Sequence, residues 1–73
     1  MTIAKNIEVS STSTVSFEDA INMGLSRVAE TIKNVRGAWI KEQKVDFLEG
    51  KITKYNVVMI ITFVLEESTA VDQ

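Results

Sequence analysis

Histidine and cysteine are both absent from this 73-residue chain. Without cysteine there is no disulfide framework and no thiolate metal site. Without histidine the commonest metal ligand and the usual general base are gone. No serine stands in a nucleophile-elbow context, and there is no glycine-rich phosphate loop. A lone carboxylate can act as an acid or base, yet nothing in the sequence pairs one with a partner, so the chain is not expected to be an enzyme. Charge of either sign is in small excess only: ten acidic residues against eight basic ones leave −2, which gives no bulk attraction for nucleic acid. The opening MTIAKNIEVSS lacks the apolar core of a signal peptide. The apolar run near the C-terminus is about half the length that a membrane helix needs. These absences predict a single small cytoplasmic domain over residues 1–73 with no nucleic-acid or membrane partner. Its core would be too small for comfort as a monomer.

What is present is concentrated in Tyr55–Leu65, YNVVMIITFVL. Val57, Val58, Ile60, Ile61 and Phe63 give this stretch high β-propensity. In a strand, Tyr55, Val57, Met59, Ile61, Phe63 and Leu65 point one way, and Val58, Ile60 and Val64 the other, with only Asn56 and Thr62 as polar breaks. A half-solvated strand alternates more cleanly than this, so both faces want cover. The remaining chain supplies one helix, and one helix covers one face. The second face therefore calls for another copy of the chain, a ligand, or both. Each large apolar group left there would gain about 1.5–3 kcal/mol on full burial.

Taken in order, residues 3–9 alternate as a strand, with Ile3, Ile7 and Val9 on one side and Asn6 and Glu8 on the other. Lys5 interrupts the apolar set, as an edge lysine does. The hydroxyl-rich SSTSTVS has no periodicity and reads as a loop. Ser16 suits a helix N-cap, with Asp19 three residues on as in a capping box and Glu18 and Asp19 placed where the helix dipole favours negative charge. Phe17, Ala20, Ile21, Gly24, Leu25, Val28 and Ile32 recur every three or four residues, which predicts an amphipathic helix over roughly residues 17–33. Asn22, Arg27, Glu30, Lys33 and Asn34 fall on its wet side, and Lys33 and Arg36 favour an end near 34. Gly24 costs a helix about 1 kcal/mol relative to alanine, so a close approach to the sheet is its expected use. Residues 37–47 form a second strand, with Ala38 and Ile40 on one face and Gly37, Trp39, Lys41, Gln43, Val45 and Phe47 on the other. A tight turn at 48–51 uses Gly50 for positive φ, residues 52–65 return as the long central strand, and the tail is polar. The order is β-α-β-β, an α+β chain with a three-stranded antiparallel sheet.

The order of elements, the segment SSTSTVSFEDAINMGLSRVAETIKNVRGAWIKEQ, the EGK turn and the ending YNVVMIITFVLEE resemble the dodecins over residues 3–67. The resemblance implies a sheet partly wrapped around its helix and twelve copies closed into a hollow shell, a homododecamer. It also implies a flavin, of riboflavin or flavin mononucleotide (FMN) type, stored or buffered at two-fold contacts without turnover.

Position by position, the flavin motif departs from the family's. Flavin-binding dodecins carry a stacking tryptophan in a context like Asn-Ile/Val-Arg-Trp-Phe-Glu-Val, where this chain reads Asn34-Val35-Arg36-Gly37-Ala38-Trp39-Ile40. Glycine takes the stacking place and the indole comes two residues later, a shift of roughly 6.6–6.8 Å along a strand, comparable to the whole centroid range for aromatic stacking. The glutamine of a His-Tyr-Gln-Val context, which meets the polar edge of the flavin, is replaced by Asn56, one methylene shorter. Glu42 falls where many members carry an acidic residue near the site, and Gln43 follows it. The resemblance thus implies Gly37, Trp39, Glu42, Gln43 and Asn56 as the cofactor-binding set, with weak or displaced flavin binding. The same shell with another small molecule in place of flavin, and a purely structural oligomer, are other readings the sequence leaves open. The chain is also similar to a branch without the stacking tryptophan, for which calcium has been suggested. Glu42, Asp46, Glu49, Glu66 and Glu67 are the oxygen ligands on offer to such a hard cation, although no spacing here matches a dedicated calcium loop. Lys41, Lys44, Lys51 and Lys54 read as a solvated face.

Overall fold

The computed structural model describes residues 2–67. Four elements follow one another: β1 (Thr2–Ser13), α1 (Phe17–Thr31), β2 (Val35–Leu48) and β3 (Lys51–Glu67). The sheet is antiparallel in the order β1-β3-β2, so the apolar strand lies at the centre as its composition demands. The hairpin turn is set by two consecutive residues at positive φ, Glu49 (51°) and Gly50 (79°). That pairing matches the twist of a two-residue hairpin.

Helix α1 begins where its cap residues dictate. Ser16 Oγ accepts from Asp19 N–H at 2.9 Å. The reciprocal half of a capping box is replaced by a different contact: Ser13 Oγ donates to Asp19 Oδ2 at 2.7 Å. The same Ser13 oxygen accepts from the N–H of Val15 at 2.9 Å and of Ser16 at 3.4 Å. Ser13 is 4% exposed, so this buried hydroxyl ties the end of β1 to the first turn of the helix. The helix stops at Thr31 with Ile32 as its cap, two residues short of the sequence expectation and with no basic residue in its last turn. Asn34 then turns the chain at φ 63°, in the left-handed region that asparagine tolerates.

The helix lies across β1 and β3. Ala20, Val57, Met59 and Ile61 are fully buried, and Ile7, Val9, Phe17, Ile21, Leu25, Val28, Val35 and Ile40 pack around them. Phe17 meets Tyr55 edge to face, with ring centroids 5.2 Å apart. Gly24 does sit where the helix comes closest to the sheet: a Cβ there would collide with Met59 Cε and come within 3.2 Å of Ser11 Cβ.

Register corrects three expectations. First, the hydroxyl-rich stretch 10–13 is strand, since pairing with β3 continues to Ser13 opposite Tyr55. Its side chains find partners as they alternate, Ser11 Oγ donating to Ala20 O at 2.7 Å. Tertiary pairing outweighs the missing apolar signal here. Likewise Glu66 and Glu67 belong to β3, where the sequence suggested a tail; residues 68–73 lie outside the described residues. Second, an irregularity between Ile3 and Ala4 moves Ile3 opposite Glu66, away from the face of Ile7 and Val9, and leaves it 42% exposed. Third, β2 shifts register between Ile40 and Glu42. Residues directly paired across strands share a face, so a bulge at Lys41 reverses the alternation beyond it. Gln43 and Val45 stand opposite Val57 and Tyr55, on the helix-bearing face, while Glu42, Lys44 and Asp46 stand opposite Val58, Asn56 and Lys54 on the other.

Candidate functional site

The face of the sheet away from the helix, here the outer face, has β3 as its spine. From one end it presents Val64, Thr62, Ile60, Val58 and Asn56, flanked by Ala4, Asn6, Glu8, Ser10 and Thr12 of β1. On the β2 side Gly37 stands opposite Thr62 and Trp39 opposite Ile60. The apolar residues of β3 foreseen on this side are there, half-buried, and among the described residues no other element covers them. Lys41 Nζ donates to Glu8 Oε1 at 3.2 Å. Since Glu8 is on one edge strand and Lys41 on the other, this pair spans the width of the sheet. Thr62 Oγ1 donates to Asn6 Oδ1 at 2.7 Å.

Of the residues singled out from the sequence, four share this face and one does not. Gly37 is open: a Cβ built there would meet nothing within 4 Å. Trp39 is 54% exposed, and its indole stands on the same face, two residues along. Glu42 and Asn56 line one shallow depression of about 250 Å³ together with Ser10, Thr12, Lys44 and Val58. Gln43 is carried to the opposite face by the bulge. Counted along β3 from Ile60 to Asn56, the indole and the depression are roughly 13 Å apart, and Gly37 and Asn56 roughly 20 Å. Side chains so far apart meet one ligand only if it lies along the strand or a second copy closes the site.

Asn56 is held from both sides. Thr12 Oγ1 donates to its Oδ1 at 2.8 Å, and its Nδ2 donates to Asp46 Oδ1 at 3.2 Å. Thr12 had no signal in the sequence, lying in a hydroxyl-rich stretch without periodicity that read as loop. Asp46 was visible only as one carboxylate among several. Among the described residues no three acidic side chains gather closely enough to hold a metal ion. Glu42 and Asp46 lie on β2, Glu49 in the turn and Glu66 and Glu67 at the far end of β3.

The inner face is also incompletely covered. Ala38, Gln43 and Val45 on β2 are exposed. The hairpin end is exposed as well, whichever face its side chains take, with Phe47 at 67%, its partner Ile52 at 46% and Leu48 at 63%. A fifteen-residue helix is about 22 Å long, whereas the molecule extends over 58 Å, so α1 reaches only part of the sheet. No helix among the described residues is long and apolar enough to cross a membrane.

A β-α-β-β unit with one helix on part of one face and an open, apolar second face defines a class of small proteins that cannot close their own core. The chain belongs to the dodecin family, whose model matches residues 3–66. Among solved structures, a dodecin variant from Thermus thermophilus is 30% identical, with a TM-score of 0.85, covering 92% of this chain and 100% of that one. A calcium-chelating immunodominant antigen of Mycobacterium tuberculosis, a calcium dodecin described with a novel calcium-binding site, is 26% identical, with a TM-score of 0.75 over 94% of this chain and 99% of its own. The dodecin of Streptomyces davaonensis, at 24% identity and a TM-score of 0.82 over 90% and 97% of the two chains, shares the fold. No curated protein matches the chain.

Proposed function

We propose that this chain assembles through its outer sheet face into a dodecin-type shell of twelve copies that stores or buffers a small flat ligand, a flavin of riboflavin or FMN type, without catalysing its turnover. One observation carries the reading: Trp39 is 54% exposed on the outer face, beside the open position at Gly37. An indole free on one side, next to unfilled space, is a platform on which an isoalloxazine ring stacks. The platform lies two residues from the family's usual place, so the ligand sits displaced along the strand and binds more weakly than in the usual pose. Glu42 and Asn56 supply polar contacts from the depression further along the same face.

Titration of riboflavin and FMN, followed by quenching of flavin fluorescence, tests this. The expected result is quenching at an affinity weaker than submicromolar that disappears in Trp39→Ala. Tight binding that survives Trp39→Ala removes the indole as the platform; no quenching at any concentration removes the flavin.

The alternative occupant is a cation such as calcium. Its support is the calcium dodecin among the similar structures. Because the acidic residues of one chain do not converge, such a site would need carboxylates from more than one copy. Calorimetric titration with calcium separates the two readings, since heat with calcium and silence with riboflavin favours the cation.

A further inference from the structure

The hydrogen bonds around Asn56 carry an assignment that the motif comparison does not supply. A side-chain amide has two chemically different ends, and which end faces which neighbour depends on what those neighbours can do. An ionised carboxylate only accepts, so the end of Asn56 facing Asp46 must be the NH₂ group, consistent with Nδ2 donating to Asp46 Oδ1 at 3.2 Å. The carbonyl end is thereby turned to β1, where the Thr12 hydroxyl donates to it at 2.8 Å. A hydroxyl can donate or accept, so Thr12 would serve either orientation, and Asp46 is the residue that decides. After these two bonds the amide keeps one N–H and one lone pair on Oδ1. Asn56 lines the depression together with Ser10, Glu42, Lys44 and Val58, so these two groups are what its amide has left to offer a ligand there. The free edge is therefore a donor and an acceptor side by side, in fixed order across the sheet.

We infer that Asp46 is a positioning residue: by holding the Asn56 amide in one orientation it makes the depression selective for ligands presenting a cyclic amide or imide edge, a C=O beside an N–H. This rests on the ligand-binding reading above and deepens it, because the pyrimidine ring of a flavin carries such an edge. Asp46 is not among the residues that line the depression; Thr53 Oγ1 donates to its backbone carbonyl at 3.2 Å, part of what keeps this segment of β2 in place.

The test uses the assembled protein with two probes, lumiflavin and its N3-methyl derivative, which differ in the N–H of that edge. Wild type should prefer lumiflavin by about tenfold, the worth of a hydrogen bond made in a partly dry site. Asp46→Leu removes the acceptor and should compress that preference at least threefold through lumiflavin alone. Asp46→Asn, whose own carbonyl can face Nδ2, should restore it. A change that was merely structural would weaken both probes together. Equal preference in wild type and Asp46→Leu, or equal losses for both probes, overturns the assignment while leaving flavin binding standing. If wild type binds neither probe, the flavin reading fails and the assignment falls with it.

Discussion

Two small residues show how single positions set the geometry of this chain. Gly24 is a poor helix former, yet its place on the inner stripe is filled to contact by Met59 and Ser11. Gly24→Val should therefore destabilise the fold by about 1–3 kcal/mol, as overpacking does, read as a lower urea midpoint at unchanged slope. Ser13 holds a carboxylate and two backbone N–H groups with one oxygen. Ser13→Ala leaves those groups without that partner beside the helix start and should cost about 1–3 kcal/mol. A loss below about 0.5 kcal/mol in the same denaturation experiment would mean that water replaces the hydroxyl freely. Trp39 illustrates the opposite case: it is 54% exposed within the chain, so its replacement should change ligand quenching rather than the packing of α1 on the sheet.

Among the elements, β3 determines the rest. Its high content of β-branched and aromatic residues made it the central strand in the sequence, and the helix stripe from Phe17 to Val28 was equally legible, because both signals come from apolar periodicity. What was not legible has one common cause. Bulges add a residue without changing composition, so the shift after Ile40 that sends Gln43 inward and Glu42 outward leaves no mark in the pattern. The strand character of Ser10–Ser13 was hidden for a related reason: these hydroxyls are held by pairing with β3 and by bonds to Ala20 and Asn56, partners far away in sequence. Hence the site's composition could be read in part, but which of its members share a face required the register. The prediction at this scale concerns the outer face. Val58→Asp or Ile60→Asp would bury a charge without a partner if that face is an interface, and the variant should elute at a much smaller size than wild type on gel filtration. Elution at the wild-type size with unchanged melting would place the contacts elsewhere.

At the scale of the whole molecule the shortage of cover is the governing fact. Among the described residues four side chains are fully buried, no helix lies on the outer face, and the inner face of β2 is open at Ala38, Gln43 and Val45. So small a core falls short of what a domain of this size needs to stand alone, and further copies of the same chain are the cover available without any other partner. The exposed apolar positions lie on both faces, so contacts to more than one neighbour are needed, as a closed shell supplies and a simple dimer does not. The number proposed for that shell, twelve, comes from the resemblance to the dodecins and not from the packing of the single chain. Native mass spectrometry of the freshly purified protein tests this most directly, because it reports subunit number and retained ligand in one spectrum. The account predicts a twelve-chain species, with added mass matching a flavin when the protein is saturated with riboflavin. A folded monomer or dimer as the dominant species at micromolar concentration would contradict it.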